Sequence, residues 1–224
     1  MTLRDGRGAP SSGQALRDGR GAPSSGQGLH ESALATLSGW VAPTPEQAVL
    51  RDRYVAHLVR HPDGLAKACF PDHLTAGAIV VSPDADAVLL NHHRKADAWL
   101  AFGGHLEPGD PSLAAGARRE LVEESGLASF DFDTEPLSLD EHTVEFCSDR
   151  GTVHHLDVRF LATAEPDATH ATSEESLDVR WWPVEALPAT FDDMYVLIDA
   201  AVARVRSRQS FSMPGGGSRR APAE

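Results

Sequence analysis

Three glutamates, Glu120, Glu123 and Glu124, are spaced i, i+3 and i+4 in a segment that reads as a helix, so their carboxylates project from one face. Carboxylates gathered this closely repel one another and hold on to protons unless cations neutralise them. Hard divalent ions such as Mg²⁺ or Mn²⁺ prefer oxygen ligands of this kind. Gly104 lies upstream in a Gly103-Gly104 pair, where a backbone carbonyl can approach an ion because no side chain obstructs it. An ion held there would bridge phosphate oxygens, offset charge developing during phosphoryl displacement and lower the pKa of an attacking water. An exposed acidic helix face is the other reading of the same cluster.

The elements that must position these groups are legible around them. Pro108-Gly109 suits the centre of a turn, Asp110 is the expected helix cap, Pro111 the first helical residue, and Gly126 a left-handed stop. Leu113, Ala117 and Leu121 form another face of that helix and should enter a core. Upstream, TAGAIVV after Leu74, a Ser82-Pro83-Asp84 turn and AVLL read as two strands; residues 99–102, 143–146, 154–163 and 179–182 read as further strands. A last amphipathic helix is expected over about 192–206, carried by Val196, Leu197, Ala200, Ala201 and Val205. This mixture implies an α/β sandwich around a mixed sheet. Ahead of it, Thr44-Pro45-Glu46-Gln47 has the form of a helix start, with Thr44 as cap and Gln47 reaching back. His61-Pro62-Asp63-Gly64 stops that helix after Arg60, and its apolar stripe of Val49, Ala56, Leu58 and Val59 is only partial. With a weaker helical segment at 32–37, this makes an N-terminal helical extension over residues 29–70.

The order Gly104-x5-Asp110-x8-Arg119-Glu120-Leu121-Val122-Glu123-Glu124-Ser125-Gly126-Leu127 resembles the signature of the Nudix hydrolase (MutT-like) family, G-x5-E-x7-R-E-U-x-E-E-x-G-U, with U aliphatic. The second half matches at every specified position; the first has Asp110 for Glu and one extra residue. The resemblance covers residues 71–206 and implies a Nudix-type α/β/α sandwich. It implies that Glu120, Glu123 and Glu124, with the Gly104 carbonyl, hold Mg²⁺ or Mn²⁺, and that Arg119 orients the glutamates. The family position matched by Asp110 braces the loop against the helix, and Gly116 marks a place where the extra residue can be absorbed. An acidic residue from a later loop often joins such a site, and Glu175 is the first choice, with Glu174 in reserve. Glu124 or Glu175 would then accept the proton of the attacking water. The implied function is Mg²⁺-dependent cleavage of a diphosphate linkage in a nucleotide or related nucleoside diphosphate derivative. A sensing module that binds such a ligand without hydrolysing it is the alternative, and a diphosphate isomerase is disfavoured because no convincing motif surrounds Cys69 or Cys147.

Other polar residues suggest a substrate wall. His155 and Asp157 point to one side of their strand and His154 to the other, and His142 sits on a neighbouring strand. His105, next to Gly104, and Arg94, in the basic patch His92-His93-Arg94-Lys95, are the remaining candidates for contacts to substrate phosphates. Of Trp181 and Trp182, one is expected in the core while the other is free to stack on a base or anchor a subunit. The two cysteines have no metal-ligand spacing and read as packing residues, so neither a disulfide framework nor a structural zinc site is expected. At the histidines a second metal site is less favoured than a substrate wall, because their spacing matches no strong ligand motif.

Acidic residues outnumber basic ones 33 to 20 in 224 residues, for a formal charge of −13. Such a surface repels phosphate backbones, so DNA is not an expected partner and a small diphosphate compound is. No apolar run approaches the roughly 20 residues that span a bilayer, and a cytoplasmic location is the default. Residues 3–14 and 16–27 repeat one sequence letter for letter and are poor in apolar side chains. Residues 1–28 and 207–224 are therefore expected to be disordered tails. The helical extension is the natural candidate for a homodimer contact.

Overall fold

The computed structural model describes residues 25–145 and 147–212. Two helices come first, α1 (Ser25–Gly39) and α2 (Pro45–Arg60). Then follow β1 (Asp72–Val81), β2 (Ala87–His93), β3 (Ala98–Leu100), β4 (Phe102–His105) and α3 (Leu113–Ser125). The chain continues with β5 (Asp131–Phe132), β6 (Ser138–Val144), β7 (Val153–Thr163), β8 (Ser176–Pro183) and α4 (Asp192–Ser212). The eight strands form one mixed sheet: β1 and β7 run parallel, and every other pairing is antiparallel.

β1 and β7 are central because both of their faces are apolar. Leu74, Ala76, Ala78 and Val80 of β1, with Leu156, Val158, Phe160 and Ala162 of β7, bury one face against α1, α2 and α3. Ile79 and Val81, with Leu161, bury the other face against Met194, Leu197, Ile198 and Ala201 of α4. Helices on both faces of a mixed sheet make the expected α/β/α sandwich. On the α4 side, the same alternation places His73, Thr75, His155 and Asp157 near the other ends of these strands.

The N-terminal helices belong to this core. Leu29, Ala33 and Leu37 recur every four residues along α1 and are buried together with Tyr54 and Leu58 of α2 and Leu113, Ala117 and Leu121 of α3. The buried stripe of α2 runs through Tyr54, His57 and Leu58, whereas Val49 and Val59 are exposed. Tyr54 fits a core position because its hydroxyl donates to the carbonyl of Asp140. Thr44 caps α2 as expected, accepting from the Gln47 amide at 3.3 Å. The Gln47 side chain does not reach back, however. It donates to the Leu139 carbonyl at 2.9 Å and accepts from the Leu139 amide at 2.7 Å, so it pairs with β6 as another strand would.

Several boundaries differ from the sequence expectation. α1 starts at Ser25, inside the segment expected to be a tail, because its buried stripe begins at Leu29 and needs a preceding turn. The rest of that tail, the segment after 212, and Phe146 lie outside the described residues. α4 runs to Ser212 rather than Arg206, and polar anchors carry the extra length: Arg206 donates to the Ala85 carbonyl, Arg208 pairs with Asp133 and Gln209 donates to the Pro83 carbonyl. Both tryptophans pack, Trp181 on the α3 side and Trp182 on the α4 side, with Trp182 edge-on to Trp99. Among the described residues no helix is long and apolar enough to cross a membrane.

Candidate active site

A cavity of about 590 Å³ opens beside β1, β4 and β7 on the α4 side of the sheet. Glu124 and Gly104 lie on one wall, His142, His155 and Asp157 on another, and Glu175 at a further edge.

Local sequence fixes the helix that delivers the glutamates. Ser112, not Asp110, caps α3, its hydroxyl accepting from the Ala115 amide at 3.1 Å. Gly126 ends the helix in the left-handed region at φ 67°, a conformation that favours glycine. Leu113, Ala117 and Leu121 are fully buried, which turns the glutamate face toward β4. Glu124 is buried and accepts from the Gly103 amide at 3.0 Å. The Glu120 carboxylate packs on Gly104 so closely that a Cβ there would lie 2.9 Å from its carboxyl atoms. A larger residue there would push the Glu120 carboxylate out of its present position. Glu123 stands at the rim, its side chain 57% exposed.

Asp110 is free of capping because it has other partners. It accepts from Arg119 Nε and Nη2 at 3.2 and 3.0 Å, and from the Glu107 amide at 2.8 Å, closing the 107–110 turn. Arg119 Nη2 also donates to the His105 carbonyl, while Nη1 reaches Glu120 at 2.9 Å and Glu123 at 3.0 Å. One guanidinium thus braces the loop and orients two of the three glutamates. Gly116 is not a site of irregularity: α3 is continuous there, and a Cβ would lie 2.4 Å from Leu106 Cδ2 and 3.0 Å from Asp110 Oδ2. The glycine lets the loop lie against the helix.

Electrostatics mark the cluster. Burial, and then the charges of Glu120, Glu175 and Glu123, push the Glu124 carboxyl up to about 8 against the pull of the Gly103 amide. Burial likewise raises Glu120, despite Arg119 beside it. Burial also acts on Asp110, but its hydrogen bonds to Arg119 and to the loop backbone hold it below the usual carboxylate range. Asp110, Glu120 and Glu123 thus share one guanidinium, while the buried Glu124 accepts from a backbone amide and has no cationic partner within the motif. A hard divalent cation fits this all-oxygen donor set and the space that Gly104 leaves.

The other expected residues are placed as follows. Glu175 borders the cavity, and its charge acts on Glu120 and Glu124. Glu174 does not border it. Arg94 is not on the cavity wall either: its guanidinium donates to the carbonyls of Glu174 and Ser176 at 3.1 and 3.2 Å, so it holds the loop that carries Glu175. Lys95 beside it and Lys67 are the cationic side chains that line the cavity with Arg159. Lys95 was within the basic patch; nothing in the sequence singled out Lys67. Asp157 is buried and bound by Thr75 and Arg159. His105 and His155 both border the cavity, and burial together with the neighbouring histidines pushes each down to about 3, so both rings are neutral. Their Nε2 atoms converge on Cys147, beside the fully buried His73, two residues that sequence reasoning did not place at the site.

The sequence model of the NUDIX domain matches residues 71–201. The chain belongs to the Nudix family. The glutamate helix, its glycine neighbour and the bracing arginine all lie within the matched Nudix domain. Among solved structures, a NUDIX-family hydrolase from Clostridium perfringens is 22% identical at a TM-score of 0.43, covering 59% of this chain and 97% of its own. The NUDIX domain of Shewanella oneidensis NrtR, solved with ADP ribose, is 24% identical at 0.46, covering 62% and 92%. A bifunctional NMN adenylyltransferase/ADP ribose pyrophosphatase from Francisella tularensis, solved with AMP and a manganese ion, is 20% identical at 0.42, covering 69% and 49%. No curated protein matches the sequence.

Proposed function

We propose that this Nudix protein hydrolyses a diphosphate linkage in a nucleotide or related nucleoside diphosphate derivative, with Mg²⁺ or Mn²⁺ as cofactor. The observation that carries the proposal is the buried carboxylate of Glu124, with Glu120 packed against Gly104 beside it, on a 590 Å³ cavity that Lys67, Lys95 and Arg159 also line. Glu120, Glu123, Glu124 and the Gly104 carbonyl would hold the divalent ion. When bound, the ion supplies positive charge to the bridging phosphate oxygens and makes a nearby water more acidic. Lys67 and Lys95 bind the phosphate oxygens, and the walls at His105 and His155 exclude bulk water from the reacting phosphorus. Water oxygen attacks phosphorus as the bridging P–O bond breaks, releasing two phosphate-bearing products. Glu124 accepts the proton of that water, with Glu175 as the second acceptor within the cavity. Arg119 does not touch substrate; it positions Glu120 and Glu123.

The test is turnover of a panel of ADP-ribose, nucleoside triphosphates, dinucleoside polyphosphates and capped RNA ends with Mg²⁺ or Mn²⁺, read by product mass. Glu124→Gln keeps an oxygen for the Gly103 amide, so the fold should survive while turnover falls about 10²-fold or more. Near-normal rates in that variant would defeat the assignment, and binding without any product would favour a sensing module.

A further inference from the structure

We propose that the protein carries a second, chemically distinct metal site: a tetrahedral Zn²⁺ centre formed by Nε2 of His73, His105 and His155 and Sγ of Cys147. The four residues come from β1, β4, β7 and the segment after β6, and each offers one ligand atom within 4.8 Å of all the others. His105 Nε2 lies 3.1 Å from His73 Nε2, and Cys147 Sγ lies 3.3 Å from His105 Nε2, 3.3 Å from His155 Nε2 and 3.8 Å from His73 Nε2. Zn–N bonds of about 2.0–2.1 Å and Zn–S bonds of about 2.3 Å at tetrahedral angles require N···N edges of about 3.3 Å and N···S edges of about 3.6 Å. These four of the six edges lie within a few tenths of an ångström of those lengths and the other two are within 4.8 Å, so modest shifts of the rings admit an ion.

A second observation concerns tautomers. His73 is fully buried, and its Nδ1 lies 3.1 Å from the Cys69 carbonyl, which can only accept. In the neutral ring the hydrogen is therefore on Nδ1, and a lone pair on Nε2 points into the cluster. A backbone carbonyl behind the distal nitrogen is the arrangement that orients metal-ligating histidines. Three imidazoles and one thiol suit Zn²⁺ and not the hard ion proposed for the glutamates, so the two sites select different metals. With four protein ligands the centre is closed, hence structural. It would fasten β4 to β1 and β7 beside Gly104, and tie Cys147 to the cavity wall. His105 and His155 then build that wall as ligands. This inference stands whether or not the protein hydrolyses diphosphates.

The full chain, saturated with Zn²⁺ and freed of loosely bound ion by gel filtration, should retain about one zinc per chain by elemental analysis. Substitution of Co²⁺ should give the visible bands of a tetrahedral ion and a thiolate charge-transfer band in the near ultraviolet. Cys147→Ser, at a partly exposed position, should lose that charge-transfer band and most of the zinc while keeping the far-ultraviolet circular dichroism of the parent. Glu123→Gln should keep both. Zinc below about a tenth of an equivalent in the parent would overturn the site and leave a hydrogen-bonded cluster in its place. Undiminished zinc in both Cys147→Ser and His155→Ala, or loss of zinc in Glu123→Gln, would overturn it equally.

Discussion

Asp110 replaces the glutamate of the Nudix signature, and its shorter side chain still reaches Arg119 and the Glu107 amide because Gly116 lets the loop lie directly on α3. Two effects compete when Gly116 becomes alanine. Helix propensity favours the change by about 1 kcal/mol. The added methyl meets Leu106, which can shift, and Asp110, which Arg119 holds in place, and overpacking of this kind costs about 1–3 kcal/mol. Gly116→Ala should therefore lower stability, measured as the urea midpoint, although it replaces a helix-breaking residue. A rise in midpoint would show that the loop is free to move. The contiguous half of the site was legible in the sequence because Arg119, Glu120, Glu123 and Glu124 occupy one helix, where spacing determines direction. The role of Gly116 was not, because its partner at Leu106 belongs to a loop whose path the sequence does not specify.

Among the elements, α2 shows how tertiary contact overrides local rules. Its cap and its stop were readable from Thr44 and from His61-Pro62-Asp63-Gly64, since each acts within a turn of chain. Gln47 was misassigned because its partner, Leu139, is 92 residues away. His57 adds a pH dependence to this helix. Burial, then the charge of neighbouring His61, holds it below the usual histidine range; Asp72 opposes this, while Arg60 and Arg53 add to it. Its ring stacks on His61 at 4.7 Å, and its buried Nε2 has no hydrogen-bond partner. Above the unfolded pKa of about 6.5 both states are neutral there and no difference arises. As pH falls below that value the unfolded chain takes up a proton that the native ring refuses, so stability declines. His57→Gln should lose less stability than the parent between about pH 7.5 and 5.5, read by chemical unfolding at each pH. Equal losses would mean that His57 is not the group responsible.

At the scale of the whole molecule, the sandwich was legible because strands rich in aliphatic residues alternate with amphipathic helices. The convergence of His73, His105, Cys147 and His155 was not. A sheet brings together residues far apart in sequence, and no interval between such positions forms a motif. The same holds for Lys67, which reaches the cavity from the connection between α2 and β1. The acidic excess remains a property of the surface, and the cavity departs from it through Lys67, Lys95 and Arg159.

The shared burial of α1 and α2 with α3 also bears on where this protein can be cut. Excising residues 71–201 along the recognised family boundary would discard Leu37, Tyr54 and Leu58 and bare the flank of β1. It would also strip Val202 and Val205 from the opposite face. Such a fragment should collapse into aggregates or lack a cooperative melting transition, whereas residues 25–212 should melt as one unit.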